Sequence, residues 1–398
     1  LMDSVKEENN EMLQHLAGDS VIHLLRELIK NNKANVANKI VKNLCGFLCV
    51  DTSEVPDFKA NSNYSEEILT LIKEDNIITN AEDIALKKIA DDAKLKRKGG
   101  LYTLGRLLSI FDKEELLHIP KFKSILFEPL DATYTNDSLK DEASLIGQSI
   151  VDSMGILRVL FPYMNSDLRE HEVLQRLDKM KNLLSSEFAV FRYSAARTIA
   201  DIAKVSPIQV LPFIIREILP MMNNAGAMVD RQGASELIYH LSISMSTEIL
   251  PYVIFLIVPL LGRMSDSNQY VRSITTTTFA SIIKLVPLEE GISDPEGLPE
   301  DLMEGREKER DFISQMMDPS KAKPFKLPVA IKATLRKYQQ DGVNWLAFLN
   351  HYNLHGILCD DMGLGKTLQT ICIIASDEYL RQEDYKDTRS ITTRPLRS

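Results

Sequence analysis

A period of about forty residues in the middle of the chain constrains the fold more than any other feature of the sequence. Phe191-Arg192-Tyr193-Ser194-Ala195, Asp230-Arg231-Gln232-Gly233-Ala234 and Val271-Arg272-Ser273-Ile274-Thr275 align on their arginines, which fall 39 and 41 residues apart. Seven residues after each arginine stands Ile199, Ile238 or Phe279, and ten after stands Ile202, Leu241 or Ile282. Offsets of 3, 7 and 10 keep one face of a helix small or apolar. Between these segments, Leu211-Pro212-Phe213 and Leu250-Pro251-Tyr252 repeat at 39 residues, as do Pro220 and Pro259. Each Leu-Pro-aromatic trio suits the first turn of a helix, where proline lacks only an amide that had no partner.

Two amphipathic helices per ~40 residues is the period of HEAT and armadillo arrays. An arginine, a small residue and then an apolar run resembles the second helix of a HEAT repeat. Ser20 to Val50 and Gly99 to Phe111 are also strongly helical, and Lys121 to Leu130 and Ile150 to Met164 less regularly so, so residues 1–286 are expected to form one α-solenoid. The polar stretches Thr52 to Tyr64 and Asp131 to Glu142 are expected as loops, and Lys96-Arg97-Lys98 as a solvated helix end before Gly99-Gly100.

Beyond Val286 the pattern changes. Glu289 to Arg310 holds nine acidic and three basic residues, with Pro295 and Pro299 among them. Residues 287–324 are therefore expected to be an acidic bridge with a short helix over Gly305 to Met317, and residues 325–398 a further domain. The sequence opens on Leu1 and closes soon after a glycine loop, so it is expected to be a piece of a longer chain.

The chemistry lies in Gly356-Ile357-Leu358-Cys359-Asp360-Asp361-Met362-Gly363-Leu364-Gly365-Lys366-Thr367. A short apolar run, expected as a buried strand, meets a glycine-bearing turn, and Leu368 to Ala375 continue as an apolar helix. A phosphate needs that order. Amides at the helix N-terminus point at it, Lys366 supplies positive charge, and the Thr367 hydroxyl can hold magnesium. Gly363 and Gly365 let the main chain approach closely. Asp360 stands where the simple Walker pattern has its first glycine.

Just upstream runs Leu335-Arg336-Lys337-Tyr338-Gln339, followed by Gly342-Val343-Asn344-Trp345-Leu346. Together with Asp360-Asp361-Met362-Gly363-Leu364-Gly365-Lys366-Thr367 it resembles the Q motif and motif I of Swi/Snf-family ATPases in helicase superfamily two. That family usually has Glu where this chain has Asp361. The resemblance implies that Gln339 reads adenine, that Gly363, Leu364, Gly365, Lys366 and Thr367 form the ATP phosphate site, that Thr367 holds Mg2+, and that the second lobe supplies an arginine finger. It also implies a mainly α solenoid followed by the first elements of an α/β RecA-like lobe, and a nuclear protein whose motor grips double-stranded DNA. Repeats joined directly to such a motor resemble the branch that removes TATA-box-binding protein from DNA, mainly through repeats outside this stretch. A nucleosome remodeller and a non-enzymatic HEAT scaffold are the alternatives.

Other features set limits. A net charge of -9 restricts any DNA contact to a local patch. The longest apolar stretch, Ile249 to Leu261, is short for a membrane span and is cut by Pro251 and Pro259. Cys45, Cys49, Cys359 and Cys372 have no zinc spacing and are expected as free thiols. Trp345 is expected to pack rather than bind ligand. Asp141-Glu142-Ala143-Ser144 precedes the loop and Asp377-Glu378 follows it too soon, so neither is expected to hold the metal.

Overall fold

The computed structural model describes residues 1–49, 81–134, 146–286, 298–317, 324–352 and 354–391. It divides into two compact units, Leu1–Pro299 and Glu300–Ser398. The expected loop over Thr52 to Tyr64, most of that over Asp131 to Glu142, the Asp141 to Ser144 run and the start of the acidic bridge lie outside the described residues.

The first unit is an all-helical, HEAT-like array. Its principal helices are α1 (Met2–Glu7), α2 (Glu11–Lys30), α3 (Ala34–Leu48), α4 (Ala81–Ile110), α5 (Ile146–Leu160), α6 (Leu177–Leu184), α7 (Ala189–Val205), α8 (Pro207–Phe213), α9 (Met228–Met245), α10 (Val253–Arg263) and α11 (Gln269–Ile282). The repeat period appears as layers, with α5, α7, α9 and α11 packed in succession. At the offset of 3, Ala195, Ala234 and Thr275 are buried; at 10, so are Ile202, Leu241 and Ile282. At 7, Ile199 and Ile238 are fully buried but Phe279 is only half-buried. Phe279 lies in the last layer of the array, and no further repeat among the described residues covers it.

The repeated arginine has a structural task. Its guanidinium turns back onto two carbonyls of the turn before its own helix. Arg192 donates to Ser186 and Glu187 (2.7 and 3.1 Å), Arg231 to Asn224 and Ala225 (2.8 and 3.0 Å), and Arg272 to Asp266 and Ser267 (2.6 and 2.8 Å). Charge-assisted donors thus satisfy turn carbonyls that would otherwise be desolvated alone. Arg231 also reaches Asp266 of the next repeat (2.8 Å), with both side chains buried. Burial pushes the Asp266 carboxyl up, but the Asn268 amide, Arg231 and Arg263 outweigh it and hold the group below its usual range.

Two expectations need correction. Helix α4 runs unbroken through Gly99-Gly100, so the basic cluster marks no helix end. The glycines serve packing: a Cβ on Gly99 would drive into the Val5 carbonyl of α1, and one on Gly100 would crowd Phe47 at 3.0 Å. The Leu-Pro-aromatic trios do not open helices either. Pro212 sits near the end of α8, and the rod then widens into a π-helical turn over Ile214–Ile218. Pro251 lies in a 3-10 segment, Ser246–Tyr252, ahead of α10. A proline that removes one i→i−4 bond shifts its neighbours to other spacings rather than ending a rod held by packing. The run Met228–Arg263 is long and apolar enough to cross a membrane, with mean hydropathy 1.8 over its most apolar window. A left-handed Ser246 (φ 50°) breaks it into α9 and the segment leading to α10, and half of that window is buried inside the array.

Cys45 is buried, and desolvation pushes its thiol up to about 12; burial raises Cys49 as well. Both remain protonated thiols, and no group of three or more His, Cys, Asp or Glu among the described residues is placed to hold a metal.

One buried acid links three layers. Glu236 on α9 is 4% exposed, lies in the field of Arg192 on α7 and accepts a hydrogen bond from Tyr270 on α11. Burial pushes its carboxyl up to about 7, against the opposing pull of Arg192 and Tyr270. The folded state then binds a proton more tightly than the unfolded chain, so stability falls as pH rises from about 4.5 to about 7. Glu236→Gln should leave stability at about pH 4 nearly unchanged and raise it above pH 7 by on the order of 2–3 kcal/mol. Thermal melts at the two pH values measure this; a variant with the same advantage at both would show an ordinary carboxyl.

In the second unit α12 (Glu300–Met317) precedes α13 (Lys337–His351) and α14 (Lys366–Ile391). Helix α12 starts five residues earlier than the expected Gly305, so part of the acidic stretch is helix. It belongs to this unit through Phe312, which is fully buried, stacks on Phe348 (5.3 Å between centroids) and meets the tilted ring of Tyr352 (4.4 Å).

Candidate phosphate-binding loop

The lead-in segment is pinned first. The Phe325 amide donates to the Asn344 side chain (2.8 Å), and Gln340 donates to the Phe325 carbonyl (3.1 Å) and to Asn344 (2.9 Å). Helix α13 then opens with one back-bond across its first turn: the Arg336 amide donates to the Gln339 side-chain oxygen (3.0 Å). That bond turns Gln339 inward, where it is 9% exposed.

Residues 354–361 have no regular secondary structure, in place of the expected buried strand, and Ile357 is 83% exposed. Strand hydrogen bonds come from neighbouring strands, and no described residue forms one. The segment is held instead by side chains of α13. A Cβ on Gly356 would collide with Leu349 and with Trp345 at 2.7 Å. Trp345 therefore packs on the loop's approach, as expected.

Gly363 (φ 89°) and Gly365 (φ 84°) adopt left-handed conformations, and a Cβ on Gly363 would meet nothing within 4 Å, so the turn opens outward. Lys366 and Thr367 are the first two residues of α14, and the Leu368 and Gln369 amides bond back to the Gly365 carbonyl (3.0 and 3.2 Å). Amides at the start of such a helix have no intrahelical acceptor and form a locally positive end. Lys366 Nζ folds over the loop and donates to the carbonyls of Asp360 and Asp361, while Thr367 and Leu364 are exposed.

The two motifs meet across 25 residues. Gln339 Nε2 donates to the Leu364 carbonyl (3.1 Å), and a Cβ on Gly365 would strike the same amide. All six residues singled out in the sequence thus lie at one end of the α13–α14 pair. Sequence reasoning missed Gln369. It is fully buried, donates weakly to the Asp360 carboxylate (3.4 Å) and lies where a Cβ on Gly342 would be. The glycine at 342 was the available signal, because a glycine inside a helix often marks a close approach. Asp377 accepts from Asn350 (3.0 Å) and pairs with Arg381 (2.6 Å), so it ties α14 to α13. Ile371 and Ile374 are 53% and 63% exposed.

Two family models match the chain: a domain of unknown function, DUF3535, over residues 1–125 and an SNF2-related domain over residues 338–392. Helical repeats followed by an SNF2-related segment define a protein of the Swi/Snf group. The particular family follows from relatives that match end to end. TATA-binding protein-associated factor MOT1 of Saccharomyces cerevisiae is 66% identical over all of this chain and 21% of its own length. TATA-binding protein-associated factor 172 of Homo sapiens is 33% identical over all of this chain and 24% of its own length. Helicase SWR1 of Debaryomyces hansenii is 41% identical over 91 residues, 23% of this chain and 5% of that protein. The chain belongs to the family of the first two and spans about a fifth of their length.

Proposed function

We propose that this chain is the junction between scaffold and motor in a longer, nuclear protein that uses ATP to remove TATA-box-binding protein from DNA. The observation that carries this reading is the meeting of the Gln339 amide with the Leu364–Gly365 turn, beside a helix N-terminus that begins with Lys366. The names of the relatives that match end to end support the choice of partner. A nucleosome remodeller is less supported, because the relatives that match the whole of this chain are named as TATA-binding protein-associated factors. A bare scaffold is less supported because of the SNF2-related match.

In this reading residues 1–286 are the repeats, 287–324 the bridge and 325–398 the start of the first RecA-like motor lobe, which grips double-stranded DNA. The amides from Gly363 to Thr367 cradle the ATP phosphates, and Lys366 swings from its own loop carbonyls onto the outer ones. Gln339 uses one N–H and one lone pair on Leu364 and Arg336, so a second N–H and a second lone pair remain for an adenine edge. Thr367 is exposed at the first turn of α14, where its hydroxyl can reach Mg2+. Magnesium, when bound, neutralises charge developing on the phosphates.

The chain by itself should show no DNA-stimulated ATP turnover, because charge stabilisation in the transition state needs metal-holding carboxylates and a second lobe. Phosphate release by the purified chain measures this. Turnover near that of the longer protein would show that the catalytic groups lie elsewhere. The function itself is tested by ATP-dependent release of labelled TATA-box-binding protein from a TATA-bearing duplex by the longer protein.

A further inference from the structure

Away from the loop, the second helices of three successive repeats build a cationic cleft. It encloses about 320 Å³ and is lined by Arg158 from α5, Tyr193, Arg197 and Asp201 from α7, and His240 and Ser244 from α9, with Ile243 beside them. A narrower cleft continues from it, sharing Arg158 and Arg197 and adding Arg97 and Asp152. The walls are organised by polar contacts. Arg197 donates to the Tyr193 hydroxyl (2.8 Å) and lies 5.2 Å over its ring. Tyr193 and Tyr239 both meet the His240 ring edge-on, at 5.4 and 5.3 Å. Asp201 pairs with Arg158 (3.5 Å) and accepts from Ser244 (2.5 Å).

Facing the main cleft there are two arginines and one carboxylate, an excess of one positive charge before His240 is counted. The local field registers this. Burial first, then Arg197 and Arg158, hold His240 down to about 3, and burial and Arg197 depress Arg158 in spite of Asp201. The His240 Nε2 atom is buried without a hydrogen-bond partner.

We propose that this cleft binds an acidic side chain of a partner protein, seated between Arg158 and Arg197 with an apolar neighbour on Ile243. The carboxylate would supply the missing negative charge, and it would give His240 Nε2 an acceptor once that ring is protonated. The apolar part of the site is what selects a peptide. Ile243 is 58% exposed beside two tyrosine rings, which a phosphate backbone would not use. Asp201 and Asp152 in the same walls, and a net charge of -9 on the chain, also oppose a polyanion. The inference is independent of the motor reading, since each of these residues belongs to the repeats.

The test uses the chain with histidine labelled at Cε1 and His240→Asn to assign its resonance. The probe is a seven-residue capped peptide of leucine, alanine and glutamate, with its glutamine counterpart as control. The glutamate peptide should shift the His240 signal saturably and raise that histidine's pKa in the wild type. Arg197→Gln and Arg158→Gln should each weaken binding about tenfold or more. The pKa change is read on the wild-type chain, so a misfolded arginine variant leaves the test intact. Equal shifts from the glutamine peptide, an unmoved His240, or a random-sequence duplex DNA that shifts it at lower concentration than the peptide would each overturn the proposal.

Discussion

Lys366→Ala, made in the longer protein that contains this chain, is expected, on the function proposed above, to abolish ATP-dependent removal of TATA-box-binding protein from DNA while complex formation survives. Lys366 begins α14, and its ammonium reaches only loop carbonyls of Asp360 and Asp361. In the proposed function its transfer to the outer phosphates would make a charge-assisted contact that strengthens as the terminal phosphoryl group leaves. Losing one such donor typically lowers turnover by about 10²–10³-fold. A gel-shift assay on a TATA-bearing duplex, with and without ATP, compares mutant and wild type. A mutant that still clears the DNA, or one that no longer joins the complex, would defeat this division between motor and grip.

A large stability effect is expected at Gly233→Ala. Gly233 lies in the buried first half of α9, and a Cβ there would run into the backbone carbonyl of Leu184 at the end of α6. A carbonyl at a helix end cannot yield as a side chain can, so one of the two helices must move. Forced overpacking of this kind costs on the order of 3 kcal/mol. Gly262→Ala is the control, because a Cβ there meets nothing within 4 Å and the residue lies inside α10. Alanine's better helix propensity should make that change stabilising by roughly 0.5–1 kcal/mol. Urea unfolding followed by circular dichroism reads both. Equal midpoints for Gly233→Ala and wild type would show that α6 and α9 are not in close contact.

What the sequence determined by itself was whatever repeats or is local. The arginine period predicted the layers, because a 3.6-residue turn obliges a buried face to recur at offsets of 3, 7 and 10. The glycine loop marked its own position by residue type, and the structure adds that Gly363 and Gly365 are left-handed, a backbone that is cheap only for glycine. Tertiary structure decided the rest. Gly99 looked like a helix end, yet its reason is Val5, more than ninety residues away along the chain. The run after Gly356 looked like a strand, but a strand takes its partners from neighbours that no local pattern can supply. Phe312 reads as one residue of an acidic bridge until Phe348 and Tyr352 are seen around it. Arg158, Arg197 and His240 carry no shared motif, and only the stacking of three repeats brings them to one cleft. A helix fixes which of its own residues share a face; which other face it meets depends on burial summed over the whole array, and that is written nowhere in a short stretch of sequence.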